Sequence, residues 1–327
     1  MALCALLAAG LVSAGAGAQT PLLVTRDAHL MGTRASLLTY ATTREAGLVT
    51  LESALRVLQD TERELSTWRE DSEISVLNRQ PVGTIWLASP RLCRMFAEVF
   101  RWRDATDAAF DPGIGRLLGA WDINGRGAVP TAEALVEARQ SSGLALLSFD
   151  RERCTLTRTA DLTLDVGAFG KGEALDRVEA ALGNEPWMID LGGQISVGGD
   201  VPPDGGWKVA IAHPRQRDRP YLHVLMIDGS LSTSAGSERD LAVNGTRVGH
   251  ILDPRTGRPA PFTGSVTVWH RRGLAADVLS TALSVMGPEE GMRWAENRDL
   301  AVCYLIPDAG GVRVVTTSAF RALVAPQ

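Results

Sequence analysis

Apolar positions along this chain recur at two periods. Leu22 to Arg26 and Ala35 to Tyr40 read as strands, with Met31-Gly32-Thr33 as the turn between them. Leu48, Leu51, Leu55 and Leu58 then recur at helical spacing, one stripe facing a core. Thr42 and Glu45 have the spacing of a capping box that would open this helix. Ser89-Pro90 predicts a second helix, an N-cap followed by proline at the first helical position, with Leu92, Phe96, Val99 and Phe100 on its buried face. Thr131 opens a shorter third helix. Lys171 to Leu182 predicts a fourth, with Leu175, Val178 and Leu182 on one face and Gly183 as its stop.

The second half is richer in strands. Trp207 to Ala212, Tyr221 to Ile227, Arg247 to Leu252, Ser265 to Trp269, Leu300 to Leu305 and Val312 to Thr316 all qualify. Among them Ala275 to Met286 has helical spacing and ends at Gly287-Pro288. There is no internal repeat, no long linker and no regular strand-helix alternation. The pattern therefore predicts an α+β domain of mixed sheets and helices rather than a doubly wound sheet.

Composition narrows the class. A chain of 327 residues, 45% of them hydrophobic, can bury one large core. A net charge of −5 and the lack of a basic stripe argue against a nucleic-acid partner. The first residues stand apart: an apolar run from Ala2 to Leu11 leads to Ala16-Gly17-Ala18, a small-x-small pattern before Gln19. That run is too short to span a bilayer. It reads as an export signal over residues 1–18, although no Lys or Arg precedes it, and leaves a mature domain at 19–327 on the periplasmic side of the cytoplasmic membrane. Cys4 would leave with the signal. Cys93, Cys154 and Cys303 are widely spaced and read as small buried apolar residues, neither a disulfide framework nor a zinc cluster.

Candidate chemistry sits in a few short segments. Asp165 to Asp176, DVGAFGKGEALD, puts Lys171 at a helix start, where backbone N–H groups favour anions. It lacks the spacing of a Walker A loop. Asp165 offers an acceptor to a ligand base or sugar; a glycine-rich turn with a surface lysine is the plainer alternative. Asp277 and Thr281 lie four apart on one helix face, a carboxylate and a hydroxyl suited to a hard cation such as Mg²⁺. The alternative there is an N-cap aspartate with a back-bonded threonine. Phe110 to Trp121 joins an Asp-Pro-Gly turn to aromatics available for stacking. Leu65 to Asn78 is polar and turn-forming around Trp68. Asp190 to Asp200 is a strand with a Gly-Gly break, and Gly249 to Ala260, GHILDPRTGRPA, is a stiff loop carrying His250.

Taken in order, MGT, LSTW, DSEISVLN, FDPGIGRLLGAW, LDVGAFGKGEALD, DLGGQISVGG, STSAG, GHILDPRTGRP and ADVLSTAL resemble the ApbE family of FAD:protein FMN transferases, from about Met31 to the end of the Asp277 helix. The resemblance implies a single domain with FAD bound in a cleft. It implies an Mg²⁺-dependent flavoprotein-forming transferase that takes FAD as substrate, moves its FMN part to a threonine hydroxyl of a flavin-acceptor protein and releases AMP. It further implies FAD contacts from Met31, Trp68, Ala109, Phe110, Asp111, Asp165, Lys171 and Ile251, and Mg²⁺ held by the Ala168 carbonyl, Asp277 and Thr281. His250 would stand near the transferred phosphate as the base, with Asp277 sharing the role. Trp68 stands where tyrosine is frequent in the family, and Gly170 where alanine is; neither removes a charge. Contact with a membrane would come through the acceptor. Two other readings use the same motifs: an FAD pyrophosphatase, which yields FMN and AMP, and a non-catalytic FAD carrier.

Overall fold

The computed structural model describes residues 20–236, 240–243 and 246–324, so the segment read as an export signal lies outside the described residues. Along the chain, β1 (Leu22–Leu30) and β2 (Thr33–Ala41) form a hairpin whose turn puts Met31 and Gly32 at φ 50° and 70°. Helix α1 (Arg44–Leu65) is capped by Thr43, whose hydroxyl accepts the Ala46 N–H. The cap is one residue later than Thr42, because Thr43 is the residue with extended φ/ψ. Of several elements that the pattern did not predict, two follow, α2 (Glu73–Arg79) and β3 (Ile85–Leu87). Helix α3 (Pro90–Ala105) begins after Ser89 as expected. Then come α4 (Gly115–Ala120), α5 (Ala132–Gln140) behind its Thr131 cap, β4 (Leu147–Asp150), β5 (Thr155–Arg158) and α6 (Gly170–Ala181).

Strands β6 (Trp187–Leu191) and β7 (Gln194–Gly198) correct the reading of Asp190 to Asp200 as one broken strand. Gly192 and Gly193, at φ 62° and 86°, are the two-residue turn of a hairpin in which Leu191 pairs with Gln194. Strands β8 (Trp207–His213) and β9 (Gln216–Met226) pair as a long hairpin, and β10 (Gly229–Ala235) follows. The expected strand from Arg247 to Leu252 is interrupted from Gly249 to Ile251. Short strands β11 (Leu241–Val243) and β12 (Thr246–Val248) pair, as do β13 (Leu252–Asp253) and β14 (Arg258–Pro259). Finally β15 (Ser265–His270), α7 (Gly273–Glu296), β16 (Ala301–Asp308), β17 (Gly311–Thr316) and α8 (Ser318–Arg321) close the chain. The helical run of α7 breaks at Gly287, φ 75°, and restarts at Pro288, where the sequence places its stop.

Eight strands make the main antiparallel sheet in the order β1-β2-β6-β7-β10-β15-β16-β17. Alternation decides its two faces. Along β2, Ala35 and Leu37 point into a core with Leu51, Leu55 and Leu58 of α1 and Leu175 and Val178 of α6. Leu38 and Tyr40 point the other way, against Trp207, Val209, Val224 and Phe320. Helices α1, α6 and α7 thus cover one face, and the β8–β9 hairpin with α8 covers the other. Beyond α7 the core continues through Phe96 and Val99 of α3 to a small sheet in the order β3-β5-β4.

That small sheet corrects the reading of the cysteines. Cys93 in the first turn of α3 and Cys154 in the β4–β5 turn form a disulfide, with Cα atoms 5.3 Å apart across 61 residues of sequence. Only Cys303 remains as a free, buried cysteine among the described residues, its thiol pushed up to about 12 by burial.

Candidate active site

The site is built where α6 crosses α7. A Cβ on Gly172 would stand 2.3 Å from the Gly273 carbonyl oxygen, so two glycine backbones touch at the crossing. This contact seats the start of α7 beside the start of α6. Asp176, one turn along α6, caps α7 by accepting the N–H groups of Gly273 at 2.5 Å and Leu274 at 3.2 Å, and takes Arg272 at 3.1 Å. Burial raises the Asp176 pKa, and Arg272 and the two N–H groups pull it back. From the sheet, Gln194 donates to the Gly273 carbonyl at 2.9 Å, and Ser232 and Ser234 of β10 bond Ser280 of α7.

In this frame Lys171 and Asp277 meet. The Lys171 ammonium lies 3.3 Å and 3.5 Å from the two Asp277 carboxylate oxygens, and the Gly172 N–H donates to Asp277 at 3.1 Å. The Asp277 side chain is 5% exposed. A buried carboxylate needs hydrogen-bond partners, and Lys171 and Gly172 supply them. It is therefore neither an N-cap nor a spare surface charge. Ser280, not Thr281, bonds back to the Asp277 carbonyl, at 3.0 Å. Thr281 sits one turn further along α7 on the face of Asp277, half-buried.

A chain of bonds links this pair to other expected residues. Lys171 also donates to the Gly167 carbonyl, Gly167 donates to the Asp165 carboxylate at 2.8 Å, and the Asp165 N–H bonds the Pro112 carbonyl at 2.8 Å. Ala168 and Ile251 pack against the core cluster that contains Ala109, Phe110 and the buried face of α7. The Met31 methyl lies 3.6 Å from where a Cβ on Gly170 would stand, so Met31 reaches over the start of α6. Its N–H is held by Glu62 of α1.

The aromatics between Phe110 and Trp121 are not available for stacking. Phe110 is 1% exposed and meets Phe169 edge-on, and Trp121 is buried with its indole N–H on the Gly257 carbonyl. Asp111 spends its carboxylate on the N–H groups of Gly113 and Leu144. Burial raises its pKa, and those donors and Arg103 lower it. By contrast Trp68 is 77% exposed in the loop between α1 and α2. Sequence reasoning passed over Asn78 of α2, which clamps the main chain of Leu164 on both sides, at 3.0 Å and 2.8 Å, just before Asp165. The only sequence signal was its place at the end of the Leu65 to Asn78 segment.

The stiff loop behaves as expected. Asp253 takes the N–H and guanidinium of Arg255, and its carbonyl takes the N–H of Gly257 at 2.7 Å. Trp121 and Arg139 fasten the loop to the α4–α5 region. Arg258 pairs with Asp253 across β13 and β14. His250 follows β12 and bonds Asp240, a residue that no motif singled out. No hydrogen bond among the described residues joins His250 or Trp68 to Lys171 or Asp277. Nor does any group of three or more His, Cys, Asp and Glu gather as a metal site among them.

The comparisons bear on these residues. The sequence profile of the ApbE family matches residues 31–305. The FAD:protein FMN transferase of Vibrio cholerae is 30% identical over 275 residues, covering 81% of this chain and 82% of that protein. The protein of the same name from Treponema pallidum is 32% identical over 260 residues, 73% of this chain and 72% of its own. Among solved structures, the apo flavinyl transferase ApbE of Pseudomonas stutzeri superposes with a TM-score of 0.81 at 28% identity, over 94% of this chain and 98% of that one. The ApbE protein of Thermotoga maritima reaches 0.84 at 24% identity, covering 93% and 100%, a likeness of fold.

Proposed function

Because the chain belongs to the ApbE family, we propose that it is an FAD:protein FMN transferase that moves FMN from FAD to a threonine hydroxyl of an acceptor protein, with Mg²⁺ and with release of AMP. The observation that carries this reading is the Lys171–Asp277 pair at the α6–α7 crossing. Breaking a phosphoanhydride requires the charge on the moving phosphoryl group to be offset. A buried carboxylate, an ammonium and a helix N-terminus within one hydrogen-bonded cluster are the parts for that task.

The donor set fits Mg²⁺. Asp277, Thr281 and the Ala168 carbonyl are all hard oxygens, few in number, and Mg²⁺ completes its shell with water and phosphate rather than with an all-protein cage. The buried Asp277 carboxylate needs positive charge beside it, which Lys171 supplies in this structure. When bound, the ion would supply Lewis-acid polarisation of the phosphoryl oxygens. Lys171 then remains to bind phosphate, and Asp165, Met31, Ile251 and the main chain of Ala109 to Asp111 to hold the nucleotide. Trp68 offers its exposed ring for stacking. His250 acts as base toward the threonine hydroxyl.

The Cys93–Cys154 disulfide supports export, since such bonds persist in oxidising compartments. Acceptors are then expected outside the cytoplasmic membrane, some of them membrane-bound. One assay tests the function. The protein is incubated with FAD, Mg²⁺ and a flavin-acceptor domain, and the denatured acceptor is read for flavin fluorescence and for added FMN mass on threonine. Labelled acceptor is the expected result. FMN and AMP without labelled acceptor would establish the pyrophosphatase instead, and FAD bound without turnover the carrier.

A further inference from the structure

The histidine expected to act as base is held by a residue outside every motif. Asp240 Oδ1 lies 3.2 Å from His250 Nδ1 and 3.3 Å from the His250 main-chain nitrogen. The two side chains are only 10% and 17% exposed. Ten residues of sequence separate them, and the β11–β12 hairpin brings them together. Leu241 pairs with Val248, so the residues just outside that pair, Asp240 and Gly249, lie side by side. A Cβ on Gly249 would stand 3.9 Å from Asp240 Oδ1, so the carboxylate lies beside Gly249 and next to the following residue, His250.

A carboxylate accepts hydrogen bonds and donates none. The ring nitrogen that faces it therefore carries the proton, and Nε2 is left as the lone-pair nitrogen. We propose that Asp240 is a positioning residue for flavin transfer: it fixes His250 as the Nδ1–H tautomer, so that Nε2 receives the acceptor hydroxyl proton. This rests on the transferase reading given above. In the step, the hydroxyl oxygen bonds the FMN phosphorus while that phosphorus parts from the bridging oxygen of AMP. The hydroxyl proton passes to Nε2, the breaking electron pair leaves on AMP, and nothing is oxidised or reduced. Asp240 then faces a charged imidazolium and stabilises it, as a buried carboxylate does for histidine bases generally. One oxygen serving both the ring and the main chain of His250 fixes the ring's direction as well as its tautomer.

The test uses Asp240→Asn, which keeps the size of the side chain and an oxygen for the main-chain bond. Its amide also offers N–H donors, so the ring is free to take the other tautomer. Transfer to the acceptor domain is expected to fall on the order of 10²-fold with KM for FAD unchanged, the size of a displaced general base. Added to His250→Asn, it should cost nothing more, because the two residues act as one unit. Long-range ¹H–¹⁵N NMR of histidine-labelled protein, followed across pH to where the ring signals no longer change, should show His250 as Nδ1–H in the wild type and not in Asp240→Asn. Asp240→Glu should recover part of the rate.

An Nε2–H tautomer in the wild type would overturn the proposal. So would an unchanged rate in Asp240→Asn, or the same fold loss with and without His250. If the wild type labels no acceptor, the transferase reading falls, and the NMR spectra still decide whether Asp240 sets the tautomer.

Discussion

Two side chains show at the level of single residues how burial sets chemistry. Asp277 is buried, and Lys171 and the Gly172 N–H share its carboxylate. Asp277→Asn should leave the fold in place, since an amide keeps one acceptor for Gly172, yet lower FMN transfer at least ~10³-fold, the scale on which removing a charge-stabilising group acts. Transfer at saturating FAD, with circular dichroism as the folding control, measures this. Adding excess EDTA to the wild type should produce a comparable loss that Mg²⁺ restores.

His270, at the end of β15, is the opposite case. Burial holds its pKa below the usual 6.5, the guanidiniums of Arg101 and Arg272 push the same way, and its Nδ1 accepts the Arg272 N–H at 2.9 Å. With the folded pKa depressed, its contribution to stability is full above pH 6.5 and is lost as pH falls through the folded value. Tm should therefore decline between about pH 7 and pH 5. His270→Asn, whose amide oxygen still accepts from Arg272, should flatten that part of the curve. An identical slope in the variant would show that another group is responsible.

Among elements, the α6–α7 crossing is the part of the fold with least slack. Gly172→Ala drives a methyl into the Gly273 carbonyl, backbone against side chain, with no flexible neighbour to yield. The expected cost is about 1–3 kcal/mol, as for overpacking in a core, together with a loss of transfer as Lys171 and Asp277 separate. Gly119→Ala in α4, where nothing lies within 4 Å of the new Cβ, should be neutral or slightly stabilising. Denaturant melts of the two variants compare them directly.

The same elements show what was legible in the sequence. Helix starts and stops with local chemistry were legible: Ser89-Pro90, Thr131 and the Gly287-Pro288 break each act within one turn of themselves. The hairpin at Gly192-Gly193 was read as a single strand, because a two-residue turn leaves the apolar alternation nearly intact. The three-residue strand β3 has too few positions for a period to show. In the site, the placing of Lys171 and Asp277 at helix positions and the bracing of the Asp253 loop were legible, because each follows from neighbours in sequence. Phe110 was not: an aromatic beside a turn looks the same whether its ring faces a ligand or Phe169. Asp240 and the Cys93–Cys154 pair depend on a hairpin and a tertiary contact that spacing does not encode.

For the molecule as a whole, the disulfide joins α3 to the small sheet and closes 61 residues of chain. Reducing it, or replacing both cysteines with alanine, should lower stability by about 2–4 kcal/mol. Lys171 and Asp277 lie on α6 and α7, outside the stapled segment, so transfer measured well below the new Tm should change little. Cys303 should stay unreactive to thiol reagents until the protein unfolds, since its thiol is buried and pushed up to about 12.

Lys171 and Asp277 are 106 residues apart, and the crossing that joins them needs both helices in place. At about 5–20 residues per second of synthesis, several seconds pass between the appearance of the lysine and that of its carboxylate. During that interval the chain has the lysine at the start of α6 without the carboxylate that pairs with it. The candidate site therefore waits for nearly the whole chain, whether that chain folds during synthesis or after export: one that ends before α7 lacks both Asp277 and the crossing. Truncations between β15 and α7 should still collect α1 and α6 on the first strands, yet process no FAD.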